Sequence, residues 1–167
     1  AILGGMPSYL EQFDPERGIE ENLLATALRR NTYLSEEPDW LLLEDLRRDV
    51  TYGSIVRAVA TGERRPSDIA RAIGKEGAQS IAPQLETLRE MGLLAREVPI
   101  TEKRLARSRN SLYFLADHYL SFWYRFVDPN RSHHPLRGYP AQGLGRRVWE
   151  RALAPALPAF VSRPAFE

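Results

Sequence analysis

The stretch Leu88-Arg89-Glu90-Met91-Gly92-Leu93-Leu94 joins the end of a predicted helix to the start of a predicted strand. Apolar residues recur at helical spacing before it, and Gly92 is typical of a helix C-terminus. The inward-facing residues of that helix are predicted to be Ile81, Leu85 and Leu88. Residues 93–100 and 111–115 have the composition of paired strands. The stretch therefore predicts a helix followed by a β-hairpin.

Two further short helices are predicted upstream of this junction. Ser54 is predicted to cap the first of them and Ser67 the second. The third helix is predicted to begin near Ser80, because Pro83 is tolerated only within a first helical turn. Three short helices followed by a hairpin are typical of a winged helix-turn-helix, which we predict over residues 54–116.

The flanking segments are predicted to be helical as well. Residues 1–53 show helical periodicity and no strand-like alternation, and residues 117–167 begin with an aromatic helix and contain another near Leu144 to Leu153. The predicted fold class is therefore mainly α with a small β-hairpin. The chain opens on Ala1 in an apolar run without Met, so we expect it to be a piece of a longer protein.

Composition narrows the class of protein. The 167 residues are 43% hydrophobic and 27% charged, which is typical of a globular chain. Cysteine is absent, which excludes disulfides and thiolate metal sites. No apolar run approaches the roughly 20 residues of a membrane span. We therefore expect a cytoplasmic protein with no membrane contact.

Charge is distributed unevenly along the chain. Residues 1–53 carry a net charge of −6, residues 54–110 a net charge of +4, and residues 111–167 a net charge of +3. This asymmetry indicates at least two functional segments.

The aromatic helix has two interpretations. Helical spacing puts Tyr119, Phe122, Trp123 and Phe126 on one face. Such a face packs in a core or against another domain, and that interpretation is favoured. A nucleic-acid stacking platform is the alternative, and it requires exposed rings.

The basic residues of the predicted winged helix point to duplex DNA. The loop from Thr101 to Asn110 is predicted to be the wing, and its cations suit phosphate contacts. They are Lys103, Arg104, Arg107 and Arg109. The third helix offers polar positions predicted to face outward, where amides reach base edges and Arg reaches phosphate. They are Gln79, Ser80, Gln84 and Arg89. Glu86 and Glu90 on the same helix oppose DNA contact, so a protein-docking surface stays an alternative.

Three motifs together resemble the C-terminal half of the archaeal-type P-loop ATPases of the STAND and AAA-like group. Gly4-Gly5-Met6-Pro7-Ser8-Tyr9-Leu10 resembles the turn that opens the helical lid. Met91-Gly92-Leu93-Leu94-Ala95-Arg96-Glu97-Val98-Pro99 resembles the end of the winged helix. Residues 113–127 are similar to the opening of the C-terminal domain that often follows. The order and spacing of the motifs cover nearly the whole chain.

The resemblance implies domains 1–53 (helical lid), 54–116 (winged helix) and 117–167 (start of a C-terminal domain). It also implies that ATP with Mg²⁺ binds the intact protein, with Gly5 and Pro7 against adenine. Taken by themselves, these residues only start a helix after a tight turn. The Gly-Lys at Gly74-Lys75 is followed by Glu76 rather than Ser or Thr, so it does not form a phosphate loop. We expect no cofactor and no ATP hydrolysis from this chain alone.

Other chemistry has little support in the sequence. Neighbouring His133 and His134 cannot both face one metal from regular structure, and no nucleophile elbow is present. We therefore predict no metal site and no catalytic residue. The favoured function is a nucleotide-responsive lid and effector module that relays nucleotide state to DNA or to a protein partner. A freestanding winged-helix transcriptional regulator and an interaction scaffold without nucleic acid are the alternatives.

Overall fold

The computed structural model describes residues 2–29, 31–38, 49–99, 110–131, 145–146 and 149–161. Within these ranges the chain is mainly helical, with one two-stranded antiparallel sheet. This confirms the predicted class of a mainly α protein with a small hairpin. None of the helices in the described ranges combines the length and apolar character needed to cross a bilayer.

The elements follow one another in a simple order. The α-helices of the first half are α1 (Pro7–Leu10), α2 (Ile19–Ala25), α3 (Val50–Thr61), α4 (Pro66–Ala72) and α5 (Ala82–Glu90). A 3₁₀ turn, Ala78–Ile81, leads directly into α5, and residues 33–38 are also helical. The strands are β1 (Leu94–Glu97) and β2 (Leu112–Leu115). The remaining α-helices are α6 (His118–Phe122), α7 (Asp128–Arg131) and α8 (Ala154–Val161).

The chain forms two compact units. One is the continuous segment Leu42–Ser121, which contains the predicted winged-helix segment 54–116. The other combines Ala1–Leu41 with Phe122–Glu167, so the first and last parts of the chain share one unit.

In the unit Leu42–Ser121, α3 begins earlier than predicted. Its N-cap is Asp49, whose carboxylate accepts a 2.8 Å hydrogen bond from the Thr51 amide. The predicted cap, Ser54, lies inside the helix and donates its hydroxyl to the Val50 carbonyl. The prediction for Ser54 was wrong because a better-placed acceptor lies five residues upstream. Gly62 ends the helix in a left-handed conformation with φ of +118°, as its sequence position indicated.

The next two helices begin at prolines. Pro66 lies in the first turn of α4, and its N-cap Arg65 makes no side-chain capping bond. Ser67, the predicted cap, is already inside α4. In α5, Pro83 lies in the first turn, as predicted.

The core of this unit comes from the inward faces of the three helices and the hairpin. The buried apolar residues of the helices are Ile55, Val56, Val59, Ile69, Ile81, Leu85 and Leu88. Strands β1 and β2 pair antiparallel with Leu94 opposite Leu115 and Glu97 opposite Leu112. Both strands are shorter than predicted, and most of the predicted wing lies outside the described residues.

In the second unit, Asn22 fixes the chain that enters α2. Its side-chain amide donates to the carbonyls of Asp14, Arg17 and Gly18, and its Oδ1 accepts from the Asp14 amide at 2.8 Å. Asn22 is only 4% exposed, so these bonds satisfy a buried polar group. Residues 39–48, which belong to the segment 1–53 predicted to be helical, lie outside the described residues.

The aromatic run is buried. Phe122, Trp123 and Tyr124 are at most 2% exposed, and the Tyr124 hydroxyl donates to the Pro38 carbonyl at 3.0 Å. This confirms the packing interpretation and contradicts a stacking platform, which requires exposed rings. The backbone is π-helical over Trp123–Val127, between α6 and α7.

The last helical region is longer than predicted. Residues 145–146 are helical, Trp149–Leu153 is π-helical, and α8 then continues to Val161 with Pro158 inside it. Gly145 lies close to α2, since a Cβ placed on it would lie 3.2 Å from the Leu24 Cδ2.

Candidate nucleic-acid interface

The link between α3 and α4 runs beside β2. The Tyr113 amide donates to the Arg64 carbonyl at 2.9 Å, which is a main-chain bond at the edge of the hairpin. The Arg64 guanidinium lies 4.3 Å from the centre of the Phe114 ring. These two contacts fix the hairpin against the helices.

The connection between α4 and α5 is a tight, exposed turn. Gly74 and Gly77 have φ of +73° and +72°, a conformation that side chains rarely adopt. Gln79 and Ser80, two predicted DNA contacts, are exposed on the 3₁₀ turn that follows. The Ser80 hydroxyl donates to the Gly77 carbonyl at 2.8 Å.

Lys75 is a candidate that the sequence analysis did not assign to DNA binding. It lies between the two glycines of this turn and is exposed. The signal for it was available, since a Lys between two glycines of a tight turn is typical of a surface cation. In the sequence, Lys75 was noted only because Gly74-Lys75, followed by Glu76, does not form a phosphate loop.

Gln84 faces inward more than predicted. Its Nε2 donates to Asp49 Oδ2 at 3.2 Å, and its Oε1 is buried without a hydrogen-bond partner. The position explains this orientation, because residue 84 lies three after Ile81 and four before Leu88, on the flank of the buried face. The side-chain amide that was predicted to reach a DNA base edge therefore joins α5 to the N-cap of α3.

Arg89 is exposed, as predicted, but it is already paired. Its Nε donates to Glu86 Oε2 at 3.1 Å, and its Nη2 donates to the other carboxylate oxygen. This pairing holds the pKa of the Glu86 carboxyl below its usual range and raises the pKa of Arg89. Glu86 and Glu90 are exposed on the same helix, as predicted.

A second arginine whose side chain is held by a hydrogen bond lies at the base of the hairpin. Arg96 on β1 donates its Nε to the Ser111 hydroxyl at 2.9 Å. Nearby, burial raises the pKa of the Tyr113 hydroxyl, and the charge of Arg96 opposes that rise. The sequence singled out Arg96 only within the motif Met91–Pro99, and its partner Ser111 lies 15 residues away, directly before β2.

Half of the predicted DNA contacts lie outside the described residues. These are the wing residues Lys103, Arg104, Arg107 and Arg109. The role of these four side chains stays a prediction.

The predicted adenine contacts lie on an exposed turn in the other unit. Gly5 has φ of +98°, and a Cβ placed on it would meet nothing within 4 Å. Pro7 is exposed in the first turn of α1. The neighbouring Met6 and Leu10 are 45% and 53% exposed. An apolar, accessible surface next to a glycine turn fits a planar base, and it equally fits the start of a helix after a tight turn.

The described residues contain no group of three or more His, Asp or Glu side chains placed to hold a metal ion. His118 begins α6, whereas His133 and His134 lie outside the described ranges.

Comparison with known proteins gives one distant relative. No family model matches the chain, and no solved structure matches it. Over 128 residues, 77% of the chain, it is 28% identical to the uncharacterized protein MJECL04 of Methanocaldococcus jannaschii. The matched region is 28% of the length of that archaeal protein. The chain therefore spans less than a third of the relative that it matches.

Proposed function

We propose that the unit Leu42–Ser121 is a winged helix that docks on duplex DNA, within the lid and effector part of a larger P-loop ATPase. The observation that carries the first half of this proposal is the main-chain bond from Tyr113 to Arg64. It sets the link between α3 and α4 beside β2, where a winged helix has its third strand. The order of three helices and a hairpin, with α5 in the position of the recognition helix, supports the same conclusion.

The docking mode that these contacts favour is phosphate binding rather than base readout. Gln84 is tied to Asp49 and Arg89 to Glu86, so both side chains suited to base or phosphate contacts on α5 are engaged within the protein. The exposed turn offers Lys75, and the wing offers four cations in a loop of ten residues. Phosphate contacts position a protein on DNA without selecting sequence. We therefore expect weak sequence preference and a strong dependence on salt.

The ATPase half of the proposal rests on the motifs that resemble that family and on the exposed lid turn. Met6 and Leu10 leave an apolar surface beside Gly5 and Pro7 that would suit adenine. In the intact protein, ATP with Mg²⁺ would be held by phosphate-binding residues outside this chain. The large part of the archaeal relative that lies beyond the match is compatible with such a domain. A cytoplasmic location follows from this proposal.

A lid that contacts nucleotide can relay its state by moving as a unit. Order–disorder or hinge motions are the usual means of such a relay. Asp49, near the start of the unit Leu42–Ser121, is hydrogen-bonded to Gln84 of α5. A movement that reaches Asp49 would therefore pass to α5 through one side chain.

A protein partner is the second candidate for the winged helix. The observation that favours it is the net negative charge of the α5 surface, where Glu86 and Glu90 outnumber Arg89. Like charges facing the phosphates would weaken DNA docking.

The deciding experiment is a fluorescence-anisotropy titration of the chain with a short labelled duplex at about 50 and about 200 mM salt. We expect binding that weakens steeply with salt. Replacing Arg104 and Arg107 by Ala should lower the affinity and reduce the salt slope by about two. The matched control replaces Arg29 and Arg151, both exposed in the other unit, and should leave the slope unchanged. Absence of binding at the lower salt would favour the protein partner.

A further inference from the structure

The exposed face of α5 carries one carboxylate–guanidinium pair. Glu86 and Arg89 lie one helical turn apart, and both guanidinium bonds run to the same carboxylate. The side chains are 49% and 44% exposed, so the pair is open to solvent and to a partner. We refer to it as the Glu86–Arg89 pair.

Other charges bias this pair without replacing it. The charge of Arg96 on the hairpin also acts on Glu86, and the charge of Glu90 acts on Arg89. The local sum of Glu86, Arg89, Glu90 and Arg96 is zero. The C-terminal half of α5 therefore presents no net positive charge, although it contains the arginine best placed for phosphate.

We infer that Glu86 limits the affinity of α5 for DNA by competing with phosphate for Arg89. This inference rests on the proposed DNA docking. A carboxylate and a phosphate occupy the same fork of guanidinium donors, so Arg89 cannot serve both at once. Docking through α5 must separate the pair and leave Glu86 facing a phosphate.

The consequence is a low affinity of α5 for DNA of arbitrary sequence. An exposed pair of this kind is easily broken, because solvent screens the attraction between its charges. The main opposition to docking then comes from the freed carboxylate near the phosphates. The wing supplies the general affinity, and Glu86 limits how much α5 adds to it.

The test is a set of matched substitutions titrated with the same labelled duplex. Glu86→Gln keeps the size of the side chain and removes its charge. Glu90→Gln removes the same charge from the same helix without breaking a bond to Arg89. Each is also made together with Arg89→Ala. Because the sites are exposed, far-ultraviolet circular dichroism is expected to match that of the unsubstituted chain.

We expect Glu86→Gln to tighten DNA binding about three- to tenfold at about 50 mM salt. The slope of log affinity against log salt should steepen by about one, as expected for one additional phosphate contact. Glu90→Gln should give a clearly smaller gain. In the Arg89→Ala background the gain from Glu86→Gln should shrink to that of Glu90→Gln. A shift of the Arg89 Nε–H resonance in Glu86→Gln, measured without DNA, should accompany these changes.

Four results would overturn the inference. Equal gains from Glu86→Gln and Glu90→Gln, or a gain that persists without Arg89, would reduce the effect to net charge. Salt-dependent binding that needs Arg104 and Arg107 but ignores Glu86→Gln would leave the proposed function standing and remove the inference. Failure of every variant to bind would overturn both.

Discussion

At the scale of single residues, replacing the glycine inside α3 and replacing the glycine that ends it should have opposite effects on stability. Gly62 ends the helix with φ of +118°, whereas Gly53 lies inside it with room for a Cβ 3.4 Å from the Arg57 side chain. Gly62→Ala should lower the free energy of unfolding by about 1 kcal/mol, because Ala is strained at positive φ. Gly53→Ala should raise it by about 0.5–1 kcal/mol, because Ala favours the helix. Urea denaturation measures both, and two changes of the same sign would contradict the assigned end of α3.

A second residue-scale prediction concerns Asp49. The Thr51 side chain and amide and the Gln84 amide hold the pKa of the Asp49 carboxyl below its usual range. A depressed pKa in the folded state means that the stabilisation is present above the unfolded value of about 3.9 and is lost as pH falls through the folded value. Asp49→Ala should therefore lower the melting temperature at neutral pH and lose most of that effect in acid.

Asp49→Ser is the matched control for that prediction. Serine can still cap α3 through one oxygen, but it lacks the second oxygen that accepts from Gln84. Its melting temperature should lie between those of Asp49→Ala and the unsubstituted chain. An effect of Asp49→Ala that is equal at neutral and acid pH would exclude the carboxylate as its source.

At the scale of elements, α5 is held by its buried apolar side chains. Leu88 is fully buried, and Leu85 and Ile81 are at most 3% exposed. Leu88→Ala should lower the free energy of unfolding by about 2–5 kcal/mol through lost burial and a cavity. Met91→Ala, at the exposed end of the same helix, should change it by less than about 1 kcal/mol. A small effect at Leu88 would show that α5 is not part of the core.

The same elements show what a sequence can indicate. The hairpin, the start of α5 near Pro83 and the inward face of α5 follow from local patterns, because periodicity and proline geometry act over a few residues. The orientation of Gln84 does not, since its bond to Asp49 joins residues 35 apart in the chain. The cap at Asp49 is itself local, because its carboxylate accepts from the Thr51 amide, but the sequence prediction placed the cap at Ser54. The sequence could have predicted the pairing of Arg89, because Glu86 lies one helical turn away. The prediction instead treated Arg89 as a phosphate contact and Glu86 as a separate negative charge.

The π-helical backbone of Trp123–Val127 shows a further limit. Its aromatic spacing indicated a buried helical face, and the rings are buried. The wider helical turn itself has no distinct sequence signal, because it arises where packing outweighs the usual backbone bonding.

At the scale of the whole molecule, the two units differ in how the chain builds them. Leu42–Ser121 is continuous, whereas the other unit needs both ends of the chain. A continuous unit with its own apolar core, from Ile55 to Leu88, has what folding alone requires. Domains of this size are stable but marginal. We therefore expect the continuous unit Leu42–Ser121 to fold when it is produced alone, whereas one end of the chain without the other should not fold.

We predict that residues 42–121 produced alone unfold cooperatively and bind duplex DNA within about threefold of the full chain, because the proposed contacts all lie in this unit. Circular dichroism on heating and the same anisotropy titration measure the two properties.

As the control, residues 1–41 produced alone should show no cooperative transition, since the aromatic run that completes their unit is missing. A segment 42–121 that folds but has lost DNA binding would move the contact surface to the other unit and overturn the assignment to the winged helix. A segment that fails to fold would show that its core needs the rest of the chain.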